Sequence, residues 1–135
     1  MEYTNENRGK IQYHNRIKQV IDFTGLRIGT ITPTDIDGYV DYHNKAAIVF
    51  EYKHKDATMS EGQRIALTRI VDNFQRAGKI AALFLCIHNQ PPWEDIKGAD
   101  AIVKEIYFNG RWWPGKGLTA KQQEEKFIAW ADSVS

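Results

Sequence analysis

Apolar side chains recur at helical spacing in the first part of the chain. Between Lys10 and about Phe23 they lie three or four positions apart, which predicts an amphipathic helix that stops before Gly25. Residues 1–9 are polar and have no such period, so we expect them to be flexible. Residues 26–32 alternate between apolar and polar side chains, which predicts a strand.

A β-hairpin is predicted between residues 34 and 55. Residues 36–42 and 46–53 have the composition of two strands, and the polar residues 43–45 between them are typical of a turn. Side chains alternate across a strand, so Asp35, Asp37 and Asp41 share one face of the first arm. By the same argument, Glu51 and Lys53 share one face of the second arm.

Helical and strand patterns alternate in the remaining sequence. Thr58 and Ser60 each begin a capping-box pattern, which predicts a helix from about residue 60 to Arg76. Residues 79–88 form a continuous apolar run, as expected for a strand buried on both faces. After a break at residues 89–93, the Asn109-Gly110 turn predicts a second hairpin, and residues 119–131 predict a last helix.

These elements predict an α/β fold. Their order is helix, three strands, helix and strand, which gives a mixed sheet flanked by helices, with a C-terminal hairpin and helix added. A chain of 135 residues is expected to form one domain. Its core is predicted at about residues 10–90, and the C-terminal hairpin and helix at about residues 100–133.

Composition and charge restrict the classes of function. A net charge of +1 does not suit a protein that coats nucleic acid, so any contact with DNA must come from a local patch. No apolar stretch has membrane-spanning length, and the polar N-terminus is unlike a signal peptide. We therefore expect a cytoplasmic protein with no membrane partner. Cys86 is the single cysteine, which rules out an internal disulfide.

Candidate chemistry is concentrated at the open end of the first hairpin. If the turn centres on Asn44, Asp37 lies roughly opposite Glu51, and Asp35 lies nearer Lys53. Two adjacent carboxylates repel each other unless a proton or a cation lies between them. Mg²⁺ prefers oxygen ligands and is typically held by one or two carboxylates together with waters and phosphate oxygens. The pattern predicts Mg²⁺-assisted phosphodiester hydrolysis. In this reaction Lys53 would hold or help to deprotonate the attacking water, or stabilise the negative charge that develops on the phosphate.

The spacing of these residues resembles the PD-(D/E)xK nuclease superfamily. Asp37 is followed fourteen positions later by Glu51-Tyr52-Lys53, at the end of an apolar strand and before a helix. The resemblance covers about residues 8–90 and implies a restriction-endonuclease-like core. It also implies metal ligation by Asp37 and Glu51, catalysis by Lys53, and Mg²⁺ as cofactor with Mn²⁺ as a substitute. Pro33 stands two positions before Asp35 and does not adjoin Asp37, so Asp35 remains an alternative metal ligand.

Further side chains extend the candidate site. In several branches of this superfamily a glutamine on the next helix orients the lysine, the water or the substrate, which implies that role for Gln63. The alternative for Gln63 is that it only caps the helix. Cations that meet phosphates and an aromatic ring that stacks on bases are the expected contacts to DNA. These candidates are Lys10, Lys55, Arg64, Arg111 and Trp112. The alternatives are a solvated surface for the cations, and a core position or a subunit contact for the tryptophan of the hairpin, which is the interpretation we favour for Arg111 and Trp112.

The sequence as a whole predicts a metal-dependent deoxyribonuclease. The small size favours a structure-directed activity similar to that of a junction resolvase or a phage nuclease, and symmetric cutting of two strands would require a homodimer. The first alternative is a nuclease fold that no longer cuts and binds DNA or protein, for example a phage protein that counters host defence. The second is an ordinary strand whose charged end faces water.

Overall fold

The computed structural model describes residues 20–134. The chain divides into two compact units, with the boundary between Pro33 and Thr34. In the first unit, the described part contains a 3₁₀ turn at Thr24–Leu26 and an isolated bridge between Ile28 and Ile31. The second unit contains every other helix and strand that the structure describes.

The helix predicted at residues 10–23 and the strand predicted at residues 26–32 both belong to the first unit. Residues 10–19 of the predicted N-terminal helix, including Lys10, lie outside the described residues, and residues 20–23 are not helical. The strand predicted at residues 26–32 is wrong. Ile28 and Ile31 exchange two backbone hydrogen bonds of 2.9 Å, and Gly29 between them has a φ of +60°. The backbone therefore reverses within four residues and cannot extend as a strand.

The second unit is built on a mixed five-stranded sheet with two helices. The strands are β1 (Gly38–Tyr42), β2 (Ala46–His54), β3 (Ile80–His88), β4 (Ile102–Phe108) and β5 (Arg111–Pro114), and the helices are α1 (Glu61–Arg76) and α2 (Ala120–Val134). The strands follow one another across the sheet in chain order. β2 and β3 are parallel, and every other neighbouring pair is antiparallel. Helix α1 connects the two parallel strands, as a crossover must.

Alternation along β2 and β3 sends apolar side chains to both faces of the sheet. On one face, Val49 and Leu83 pack with Leu67 and Val71 of α1. On the other face, Phe84 packs with other strand residues and with α2 through Phe127. This explains why residues 79–88 form an uninterrupted apolar run, since their strand is covered by a helix on each side.

Local sequence signals at turns and helix ends are confirmed. His43 and Asn44 both have positive φ, and the β1–β2 ladder pairs Tyr42 with Ala46, which centres the turn on Asn44 as predicted. Ser60, rather than Thr58, caps α1 by accepting the Gln63 backbone N–H at 3.1 Å. The Asn109-Gly110 pair takes positive φ at both positions and connects β4 to β5.

The general α/β class is therefore confirmed, and so is the sheet flanked by helices with a C-terminal hairpin and helix. Among the described residues, the predicted order of helix, three strands, helix and strand is reduced to two strands, a helix and a strand. No helix between residues 20 and 134 is long and apolar enough to cross a membrane.

Candidate active site

The candidate site lies where β1 begins and β2 ends. The ladder pairs Gly38 of β1 with Phe50 of β2, so the preceding residue, Asp37, comes level with Glu51. Glu51 and Lys53 share the face of β2 that is covered by α1. The register predicted from the turn is therefore the observed one, and it brings the two carboxyl groups to the same end of the hairpin.

Glu51 is the buried charged residue at the centre of this site. Only 1% of its surface is exposed. Its Oε2 atom lies 3.2 Å from the Lys53 ammonium nitrogen and also accepts a hydrogen bond from the Gln63 side-chain amide. Its Oε1 atom is buried and receives no hydrogen bond from any residue that the structure describes. One oxygen of the carboxylate is thus held by two donors, and the other has none.

Asp37 is fixed by the backbone of the strand that carries Glu51. Its Oδ2 atom accepts the Tyr52 backbone N–H at 2.8 Å. Asp37 precedes the first residue of β1, so its side chain supplies the acceptor that a longer β1 strand would otherwise provide. Unlike Glu51, Asp37 is exposed to solvent. The pair therefore consists of one buried and one exposed carboxyl, and solvent reaches the site from the Asp37 side.

This environment disfavours an ionised Glu51. Burial raises the pKa of Glu51 to about 7, and the neighbouring Asp37 carboxyl contributes to the rise, while Lys53 opposes it. A carboxyl group with a pKa near neutrality, next to a second carboxyl, is the arrangement expected of a site that takes up a proton or a cation.

Helix α1 brings Gln63 to this position. Ser60 caps the helix through the Gln63 backbone N–H, so the Gln63 side chain is not needed for capping and instead reaches Glu51. The prediction that Gln63 faces inward, toward the charged end of the hairpin, is confirmed. Asp35, the alternative metal ligand, is exposed and forms no hydrogen bond or ion pair with the described residues. Asp37 is therefore the better placed of the two aspartates.

The candidate DNA contacts do not form one surface. Lys55 directly follows β2, is exposed, and lies at the same end of the strand as Lys53. The Arg64 guanidinium lies 4.3 Å from the centre of the Trp112 ring and 3.4 Å from a carboxylate oxygen of Glu105. Arg111 stacks on Trp113 at 3.9 Å, on the edge strand β5, which is three strands away from β2. Lys10 lies outside the described residues.

The sequence interpretation missed the loop that follows β3. The Tyr52 hydroxyl donates to the Gly98 carbonyl oxygen at 3.1 Å, which attaches this loop to the middle residue of the Glu51-Tyr52-Lys53 motif. The signal that could have indicated it is the parallel pair itself. Because β2 and β3 run in the same direction, the segment after β3 leaves the sheet at the edge where the motif ends.

Searches of protein-family models, of curated proteins and of solved structures found no match to this chain. Within residues 20–134, no group of three or more histidine, cysteine, aspartate or glutamate side chains is arranged to hold a metal ion. Any metal held at this hairpin would therefore depend on the two carboxyl groups of Asp37 and Glu51, together with water and substrate oxygens.

Proposed function

We propose that this chain is a Mg²⁺-dependent nuclease of the PD-(D/E)xK type that hydrolyses DNA phosphodiester bonds, with Mn²⁺ able to replace Mg²⁺. The observation that carries the proposal is the buried carboxylate of Glu51. Lys53 and Gln63 hold one of its oxygens, the other oxygen has no donor among the described residues, and the Asp37 carboxyl is a neighbour of the group.

The orphaned oxygen makes a divalent cation a good fit to this site. A buried carboxylate oxygen without a donor costs free energy, and a second carboxyl beside it adds repulsion. A hard cation ligated by Asp37 and Glu51 would relieve both effects, and the exposed side of Asp37 leaves room for waters and a phosphate oxygen. When bound, Mg²⁺ supplies Lewis acidity that polarises a phosphoryl group and lowers the pKa of a bound water.

The remaining residues have separable roles in this proposal. Lys53 lies beside the metal-facing carboxylate, where its ammonium group can hold the attacking water or stabilise charge that develops on the phosphate. Gln63 donates to the Glu51 oxygen that Lys53 also contacts, which fixes the orientation of the carboxylate. Asp37 is positioned by the Tyr52 backbone and presents its carboxyl from the solvent side.

The order of the described elements supports a restriction-endonuclease-like core. The hairpin β1–β2, the crossover helix α1 and the parallel strand β3 follow one another in the order that this resemblance implies. We further propose that the substrate is selected by its structure, as a branched or unpaired DNA would be. Symmetric cutting would require a homodimer.

The test is a cleavage assay on labelled duplex, single-stranded and four-way-junction DNA with Mg²⁺, Mn²⁺ or EDTA. We expect metal-dependent cutting that Glu51→Gln and Lys53→Ala each reduce by about 10²-fold or more. Glu124→Gln is the matched control, because Glu124 is a partly buried carboxylate with a cationic partner, Lys121, on helix α2 at the other face of the sheet. It is expected to retain cutting.

Two results would contradict the proposal. Cutting that survives Glu51→Gln would place the chemistry elsewhere in the molecule. Absence of cutting on every substrate, together with absence of Mg²⁺ binding by calorimetry, would favour a nuclease fold that binds DNA or protein without cleaving it. Circular dichroism of each variant separates these results from a loss of folding.

A further inference from the structure

Trp93 differs from the other three tryptophans in having no aromatic or cation–π contact with any residue that the structure describes. It lies in the loop between β3 and β4, and 82% of its surface is exposed. Trp112 packs against Tyr107, Trp113 stacks with the Arg111 guanidinium, and Trp130 contacts two phenylalanine rings. Within the described residues, Trp93 has no aromatic or cationic neighbour of this kind. Most of the indole surface is therefore exposed and available to a ligand.

The loop that carries Trp93 is held in shape by its own hydrogen bonds. The Gln90 backbone N–H donates to the His88 ring nitrogen at 3.2 Å, and the Glu94 N–H donates to the Pro91 carbonyl at 3.0 Å. The second bond closes a turn whose central residues are Pro92 and Trp93, and the Pro92 ring fixes its own φ. A ring presented by a preorganised turn loses less entropy on binding than one on a mobile segment.

Both ends of this loop are attached to the candidate catalytic strand. At its start, the Lys55 backbone N–H donates to the His88 carbonyl at 2.8 Å. At its end, the Tyr52 hydroxyl donates to the Gly98 carbonyl, and the approach is so close that a Cβ at Gly98 would lie 2.8 Å from that hydroxyl oxygen. The Tyr52 side chain lies on the face of the sheet covered by α2, opposite to the face that carries Glu51 and Lys53, so this attachment holds the end of the loop on the α2 side. The start of the loop lies where β2 and β3 end side by side, at the end of the sheet that carries Lys53 and the proposed metal site.

Cationic side chains occur at the same end of the strand. Lys53 and Lys55 lie where the loop is attached, and Lys55 is exposed. Surfaces that bind single-stranded nucleic acid combine cations that meet the backbone with aromatic rings on which bases stack. Every base has a π-face, so such stacking selects an unpaired base without selecting a sequence.

We propose that Trp93 stacks on an unpaired nucleobase of the DNA strand whose phosphate enters the Asp37 and Glu51 site. This inference rests on the proposed nuclease function for the identity of the ligand, and it names the substrate class. The substrate is DNA with a single-stranded or branched segment, because a base paired within a duplex does not offer its face to the indole.

The experiment compares binding of labelled single-stranded DNA and of the matching duplex by fluorescence anisotropy. Ca²⁺ replaces Mg²⁺ as a hard, oxygen-seeking cation, so that affinity is measured apart from turnover. Trp93→Ala is expected to lower affinity for the single strand by about fivefold to a hundredfold, the range typical of removing one base-stacking ring. Affinity for the duplex should change by less than about twofold, and Trp93→Phe should restore most of the single-strand affinity.

Trp130→Ala is the matched control, because Trp130 is 44% exposed and its ring packs against Phe108 of β4 and Phe127 of α2. It is expected to leave both affinities unchanged. An equal loss on single strand and duplex, an unchanged single-strand affinity in Trp93→Ala, or no DNA binding by the wild type would each overturn the inference.

Cleavage with Mg²⁺ separates this inference from the proposed function. If cutting depends on Glu51 and single-strand binding does not depend on Trp93, the nuclease proposal stands and the stacking role is wrong. If Trp93-dependent binding is present and no substrate is cut, the stacking role stands and the nuclease proposal is wrong.

Discussion

In the second unit, strand β2 buries an aromatic side chain on one face of the sheet and a carboxyl group on the other. On the α2 face, β2 contributes Phe50, whose ring meets Phe84 edge to face at a centroid distance of 5.5 Å. On the α1 face, the next residue is Glu51, which is equally buried but carries a carboxyl group. Burial stabilises the fold on the first face and costs free energy at one point of the second. Residues that are buried at a cost are the better candidates for function.

The largest loss in the free energy of unfolding is expected from a substitution on the α2 face. Phe84 is fully buried and contacts the rings of Phe50 and Phe127. Phe84→Ala should lower the free energy of unfolding by about 3–5 kcal/mol, because it removes apolar contacts and leaves a cavity. Urea unfolding followed by circular dichroism measures this loss. A loss of less than about 1 kcal/mol would mean that the aromatic cluster is not the packed core described above.

On the α1 face, removing the charge of Glu51 should instead raise the free energy of unfolding as the pH approaches 7. Between pH 4.5, the ordinary pKa of a glutamate, and about 7, folded Glu51 retains a proton that the unfolded chain has released. Its contribution to stability is therefore complete below about 4.5 and is lost as the pH rises toward 7. Without metal, the free energy of unfolding of the wild type should fall relative to that of Glu51→Gln by about 3 kcal/mol across this range.

The measurement is urea unfolding of both proteins at several pH values in EDTA. Mg²⁺ at pH 8 should stabilise the wild type and not Glu51→Gln, because the neutral amide does not replace the carboxylate as a ligand. A stability difference that stays constant from pH 4 to pH 8 would show that Glu51 does not retain its proton in the folded chain.

The comparison also shows which features a sequence can disclose. Some features depend only on neighbouring residues, namely the turn centred on Asn44, the Ser60 cap and the alternation along β2. These features correctly predict that Asp37 lies opposite Glu51 and that Gln63 points inward. The predicted strand at residues 26–32 is wrong because the apolar alternation continues across Gly29, where the backbone reverses.

Contacts between residues far apart in the chain were not predictable in this way. The Arg64 guanidinium packs on Trp112 and pairs with Glu105, and neither partner is indicated by the sequence around Arg64. The attachment of Tyr52 to Gly98 spans 46 positions and depends on where the loop after β3 returns. Secondary-structure patterns fix the direction of a side chain on its own element, whereas its partner depends on the tertiary packing of the others.

The smallest loss of stability is expected from removing the residue that caps the helix on each face. Ser60 caps α1, and Thr119 caps α2 by accepting the Gln122 N–H at 3.1 Å. Ser60→Ala and Thr119→Ala should each lower the free energy of unfolding by about 1 kcal/mol, because each leaves a helix N–H without its acceptor. Only Ser60→Ala should also weaken Mg²⁺ binding, by about 10-fold or less, because Gln63 occupies the first turn of α1 and holds Glu51. Isothermal titration calorimetry of the two variants makes the comparison, and equal Mg²⁺ affinities would mean that the position of Gln63 does not depend on the cap.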